Sequence, residues 1–157
     1  MSIDLDEAST AIIIQVVGHP APGGSKNIIP RTKDNRYTGK FSVIDAGGVR
    51  NKQWRHAVRE AAVALGVRPL DGPLKLAIQF FMARPKSHLK GGILRQGSPI
   101  YPVFKPDLTK LIRSTEDALT GVAWIDDSQV ICQQTAKHYA IAGAVPGAII
   151  TITPLNP

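Results

Sequence analysis

The chain of 157 residues carries one cysteine, Cys132, two methionines, 6% aromatic residues, and 12 acids against 19 Lys and Arg. One thiol closes no internal disulfide and builds no thiolate cage, which excludes a disulfide scaffold and a zinc finger. No apolar run approaches the roughly 18 residues that cross a bilayer. Asp4, Asp6 and Glu7 make the N-terminus acidic where a secretory leader is basic, so the expected location is cytoplasmic. There is no P-loop, no Gly-x-Gly-x-x-Gly, no Gly-x-Ser-x-Gly and no His-Glu-x-x-His. His19, His56, His88 and His138 have no mutual spacing that suggests a metal site, and His138 reads as structural. Cys132, in a strand-like stretch, reads as a small buried hydrophobe.

With 43% apolar and 20% charged residues, the composition is that of a globular protein rather than a disordered or coiled-coil one. The length suits one domain that buries about two-thirds of its unfolded surface. We expect a flexible acidic tail over residues 1–10 and one domain over residues 11–157. Charge is segregated along it. Between residues 26 and 68, ten bases meet only Asp34, Asp45 and Glu60, and between residues 84 and 113 seven bases meet only Asp107. Beyond residue 113 the sign reverses, with Glu116, Asp117, Asp126 and Asp127 against Lys137. A basic surface of this kind suits a polyanion, nucleic acid first, although a merely solvated surface gives the same count.

The β-branched residues 11–17 predict a strand ended by Gly18 and Pro20. Residues 19–34 read as a loop and residues 36–44 as a strand or hairpin. Asn51 is placed as the cap of a helix that ends at Leu65, before Gly66, with Trp54, Ala57, Val58, Ala61 and Leu65 at helical spacing. Residues 74–82 alternate as a strand, with Leu74, Leu76, Ile78 and Phe80 on one face. Residues 84–104 read as a mobile basic loop. A second helix begins after Pro106 and stops at Gly121, facing the core with Leu108, Leu111, Ile112, Thr115 and Leu119. Residues 128–141 and 147–153 read as two strands in a hairpin. The pattern predicts an α+β fold, a mixed sheet covered by two main helices.

The carboxylates carry the chemistry. Asp107 opens the second helix, and Asp126 and Asp127 follow the short apolar piece after it, so the chain must fold back if they are to meet. Three carboxylates meeting in a basic surface need a cation between them, and hard oxygen ligands favour Mg²⁺ or Mn²⁺. Metal-assisted phosphodiester hydrolysis is the chemistry suggested. Each acid also has an ordinary reading: Asp107 as a helix N-cap, Asp126 and Asp127 as a turn, Glu116 and Asp117 as solvated helix residues.

The stretch KPDLTKLIRSTEDALTGVAWIDDSQV at residues 105–130 resembles the signature of the RusA-type Holliday junction resolvases, which runs Pro-Asp-x-Asp-Asn, Lys, Asp-Ala-Leu, Asp-Asp-x-Gln-Val. GHPAPGGSK at residues 18–26 and RPKSH at residues 84–88 are similar to segments common in phage-borne members, so a phage or prophage origin is the expectation. The resemblance implies a homodimeric, Mg²⁺-dependent endodeoxyribonuclease that nicks four-way DNA junctions symmetrically in recombination and repair. It assigns the ion to Asp107 and Asp127, with Asp126 beside them, and phosphate charge to Arg113 or Lys110. Thr109 stands where the family has its second Asp, Lys110 where Asn is usual. The Thr109 hydroxyl can hold a metal-bound water, and Glu116 is a partial substitute two turns on. Lys26, Arg31, Lys33, Arg84, Lys86, Lys90 and Arg95 are expected on DNA phosphates. The alternative is a junction- or duplex-binding protein whose catalysis is weakened or lost at Thr109.

Overall fold

The computed structural model describes residues 10–24, 26–45 and 47–155; the acidic tail expected at the N-terminus lies almost wholly outside them. In chain order the elements are β1 (Ile12–Val17), β2 (Lys26–Lys33), β3 (Arg36–Asp45), α1 (Gly48–Ala64), β4 (Leu74–Met82), β5 (Leu89–Lys90), β6 (Ile93–Leu94), α2 (Leu108–Leu119), β7 (Val130–Tyr139) and β8 (Gly147–Pro154). Short 3₁₀ turns precede β5 and β7.

Strict alternation makes β4 the spine of the sheet. Leu74, Leu76, Ile78 and Phe80 all point to one side and are fully buried, together with Ile14 of β1 and Ile150 and Ile152 of β8. The strand order is β1-β8-β4-β7, with β4 and β7 parallel and the other neighbours antiparallel. Parallel neighbours need a crossover connection, and α2 supplies it. Trp54, Val58 and Ala62 of α1 and Leu111, Ala118 and Leu119 of α2 close over the same face as one core. The fold is α+β, a mixed sheet with two main helices. No helix among the described residues is long and apolar enough to cross a membrane.

Four local expectations are corrected. Residues 26–33, read as loop, form β2, which pairs with β3 in a separate two-stranded ribbon. Asp34 and Asn35, both at positive φ, make its tight turn, a conformation that these two residue types tolerate and that matches strand twist. β7 and β8 are not a hairpin, because β4 lies between them. Asn51 does not cap α1: Gly47 holds that position, and Asn51 is buried one turn in, accepting a hydrogen bond from Ser114 Oγ at 2.5 Å. Leu65, expected in the core, is 58% exposed beyond the end of α1. Residues 84–104 carry the small β5–β6 hairpin, held to the end of β7 by Arg84 over the Tyr139 ring at 4.3 Å and by His88 edge-on to it.

Candidate active site

Three polar contacts step down α1 and α2 together: Asn51 with Ser114, Trp54 Nε1 donating to Thr115 Oγ1 at 3.1 Å, and Arg55 Nη2 donating to the Asp117 carbonyl at 3.4 Å. The helices therefore run in the same direction and open their N-termini at the same end of the molecule. The end of β7 arrives there too, since Lys137 Nζ donates to the carbonyls of Phe104 and Pro106 at 2.7 and 2.9 Å. Two adjoining hollows of about 470 and 480 Å³ lie at this end and share Pro22, Arg50, Lys105 and Pro106. Among the described residues lining them, Asp107 is the only acid, and Arg50, Lys105 and Lys110 are the bases.

Asp107 occupies the N-cap position of α2 with extended backbone, yet its side chain caps nothing. Its Oδ2 lies 3.6 Å from Lys110 Nζ, and both side chains are about half exposed, so this pair contributes little to stability. With the cap unmade, the Asp107 carboxylate faces the hollow and has Lys110 beside it. Arg50 and Lys110 add to this signal. Each sits in the first turn of its helix, where a cation works against the helix dipole.

Asp126 and Asp127 stand at the other end of α2. Its twelve residues span about 18 Å. The chain does not fold back before it reaches them, as the sequence reading required; β7 makes the return along α2 only afterwards, bringing Lys137 to Pro106. Residues 121–129 make a tight turn pinned to the segment before β4: Leu70 N donates to the Ala123 carbonyl at 2.9 Å, and Gln129 Nε2 donates to the Leu70 carbonyl at 2.8 Å. Asp127 Oδ1 accepts from Thr120 Oγ1 at 2.5 Å and from Trp124 Nε1 at 2.9 Å. Asp126 accepts from Ser128 N at 2.8 Å in a capping box with Gln129, and those bonds from Ser128 hold its carboxyl below the usual carboxylate range. Asp107 and Asp127 thus do not reach one ion within a single chain. No group of three His, Cys, Asp or Glu among the described residues is placed to hold a metal.

The structure does bring Glu116 to Asp127. Burial pushes the Glu116 carboxyl up, the Asp127 charge raises it further, and a hydrogen bond donated by Gln133 Nε2 pulls the other way. Arg113 lies on the same stretch of α2 and lowers it slightly. Thr109 is exposed in the first turn, beside Lys110. Of the expected phosphate contacts, Lys26, Arg31 and Lys33 lie on the β2–β3 ribbon and Lys86, Lys90 and Arg95 on the loop after β4, all exposed. Arg84 is half-buried and occupied by Tyr139 and by the Pro99 carbonyl, to which its Nη1 donates at 2.9 Å. Arg50 and Lys105 were not singled out from the sequence.

Residues 28–153 match the family described as endodeoxyribonuclease RusA. The chain belongs to the RusA endodeoxyribonuclease family. It is also 27% identical over 137 residues to a Bacillus subtilis (strain 168) protein called "Uncharacterized protein YqaN", covering 80% of this chain and 85% of the relative. The RusA match spans both helices, the groove at their N-termini and every strand except β1 and part of β2 and β8. Within this RusA-family chain the groove unites the N-terminal part of the 105–130 signature with the basic surface, and its C-terminal part lies a helix length away.

Proposed function

We propose that the chain is a Mg²⁺-dependent endonuclease (Mn²⁺ substituting) that nicks four-way DNA junctions as a homodimer, in the cytoplasm and from a phage or prophage gene. The observation that carries this reading is Asp107, a half-exposed carboxylate that leaves its helix cap unmade and stands among Arg50, Lys105 and Lys110 in a groove formed by two helix N-termini. Such a groove attracts a phosphodiester, since helix N-termini and cations both favour an anion. Mg²⁺ is commonly held by one or two carboxylates together with substrate phosphates and waters, so Asp107 alone fits an ion that arrives with DNA. A divalent ion held by Asp107 would supply a nucleophilic water and charge stabilisation for the leaving oxygen. Lys110 and Arg113 offset charge on the phosphate, and the Thr109 hydroxyl orients water.

Asp127, with Asp126 and Glu116, takes part in the same centre only from the second copy. Two α2 helices packed side by side across a two-fold axis perpendicular to them run antiparallel, which would set the start of one against the end of the other. Such isologous pairing also matches a substrate with two equivalent strands to cut. A second reading, junction binding with little or no cutting, is favoured by Thr109 and by the lack of a three-carboxylate cluster among the described residues.

Titrating Mg²⁺ against a labelled junction separates the two. Binding in EDTA with nicking in Mg²⁺ is expected, and binding without nicking at any metal concentration supports the second reading. Mixing Asp107→Asn with Asp127→Asn chains should restore nicking at one of the two centres; a mixture as inactive as each variant alone removes the role of the second copy.

A further inference from the structure

The β2–β3 ribbon stands apart from the core. Its strands pair only with each other, every residue of β2 is exposed, and β3 is exposed along most of its length. One of its faces is apolar: Ile28 opposes Val43 and Pro30 opposes Phe41, and the Tyr37 ring leans on Phe41 at 5.6 Å. Ile28 is 70% exposed, Phe41 and Val43 61%, and Tyr37 54%. A lone two-stranded ribbon is marginal in water, so a bare apolar face of this size calls for a partner.

Charge decides which partner. Between residues 26 and 45 the ribbon carries Lys26, Arg31, Lys33, Arg36 and Lys40 against Asp34 and Asp45. The ribbon of a second copy would bring like charge to like charge. A polyanion that also offers apolar surface satisfies both features.

Position decides where on that polyanion. The feet of the ribbon are clamped beside the Asp107 groove. A side chain at Gly24, itself at φ +78°, would put its Cβ 2.5 Å from Arg113 Cδ, and one at Gly47 would meet the Pro22 carbonyl oxygen at 2.5 Å. Gly23 N donates to the Lys110 carbonyl at 2.9 Å. From these feet the ribbon reaches about 25 Å outward.

We infer that the β2–β3 ribbon is the element that distinguishes branched DNA from duplex. Its apolar face enters the open centre of a four-way junction and packs against bases unstacked at the crossover, while its cations hold the flanking phosphates. In duplex DNA an apolar wedge must first unstack a base step, at a cost of about a few kcal/mol, whereas at a crossover where stacking is already broken that cost is largely absent. The inference rests on the junction-cutting reading and names the part of the substrate that the ribbon touches.

The test compares the full-length chain with an Ile28→Ser, Phe41→Ser variant. Affinities are measured for a four-way junction and a duplex, and 2-aminopurine at the crossover reports unstacking. The wild type should brighten the probe. The variant should leave it dark and lose about tenfold or more in the junction-to-duplex affinity ratio, the scale of one base–aromatic stack. Duplex affinity and thermal stability should hold, because both side chains are exposed. Phe41→Trp should restore the signal. An unchanged ratio in the serine variant overturns the inference alone, and so does a drop in its sedimenting mass, which would give the face to a second copy. A wild type that binds junction and duplex equally overturns the junction reading itself.

Discussion

Replacing Thr115 by Val removes one hydroxyl from the seam between α1 and α2 at nearly constant volume. Thr115 is fully buried; its Oγ1 accepts from Trp54 Nε1 at 3.1 Å and donates to the Leu111 carbonyl at 2.9 Å. In the variant the Trp54 indole N–H is left inside the core, where Trp54 is 1% exposed. An orphaned buried donor costs about 1–3 kcal/mol, and the added methyl returns at most about 0.8 kcal/mol. A net loss of about 1–2 kcal/mol lowers Tm by roughly 2–8 °C in a domain of this length. A double-mutant cycle isolates the cause. In a Trp54→Phe background no donor remains to be orphaned, so Thr115→Val should there cost almost nothing, a coupling of about 1–2 kcal/mol. Urea unfolding of the four proteins reads it directly. Additivity within about 0.5 kcal/mol would refute the claim that this bond registers the helices whose ends form the groove.

Glu116 has a raised carboxyl pKa in the folded state, so its contribution favours folding at low pH and fades as pH rises through that raised value. Glu116→Gln, which removes a partly buried charge that also faces Asp127, should therefore raise Tm at neutral pH and leave it nearly unchanged in acid; equal shifts at both would contradict the raised pKa. Arg50→Ala should lower the log–log salt slope of junction binding by about one unit, the release expected from one lost phosphate contact, while an unchanged slope would remove Arg50 from the interface.

Much of the fold was legible because its signals are local. β4 follows from alternation alone, and its limits at Leu74 and Met82 coincide with the alternating stretch. α2 is bracketed by Pro106 and Gly121, and the residues placed on its inner face are buried or packed against the core. β2 was missed because Gly, Pro and Lys dominate its surroundings; the hairpin signal was Asp34-Asn35, a pair suited to positive φ. The separation of β7 from β8 is a tertiary choice, since β4 had both edges free and took one neighbour on each. Asn51 has the chemistry of a cap, but Ser114, 63 residues away, took its side-chain oxygen.

The acids show the same division. Asp107 at a helix start was readable, whereas its failure to cap was not. That Asp126 and Asp127 stay at the far end depends on Gln129 bonding to Leu70, 59 residues earlier, which no local pattern reveals. The same turn moved Glu116 from an auxiliary of Asp107 to the neighbour of Asp127.

Nicking of a labelled four-way junction in Mg²⁺ by the Asp107→Asn chain puts the proposed cutting centre to its most direct test. The substitution keeps the shape of an exposed side chain that supports no structural bond beyond a long contact with Lys110. Binding should persist or tighten, as one negative charge leaves the path of the phosphate, and nicking should vanish. A variant that nicks at the wild-type rate would contradict the assignment of the groove at the helix N-termini as the site of hydrolysis.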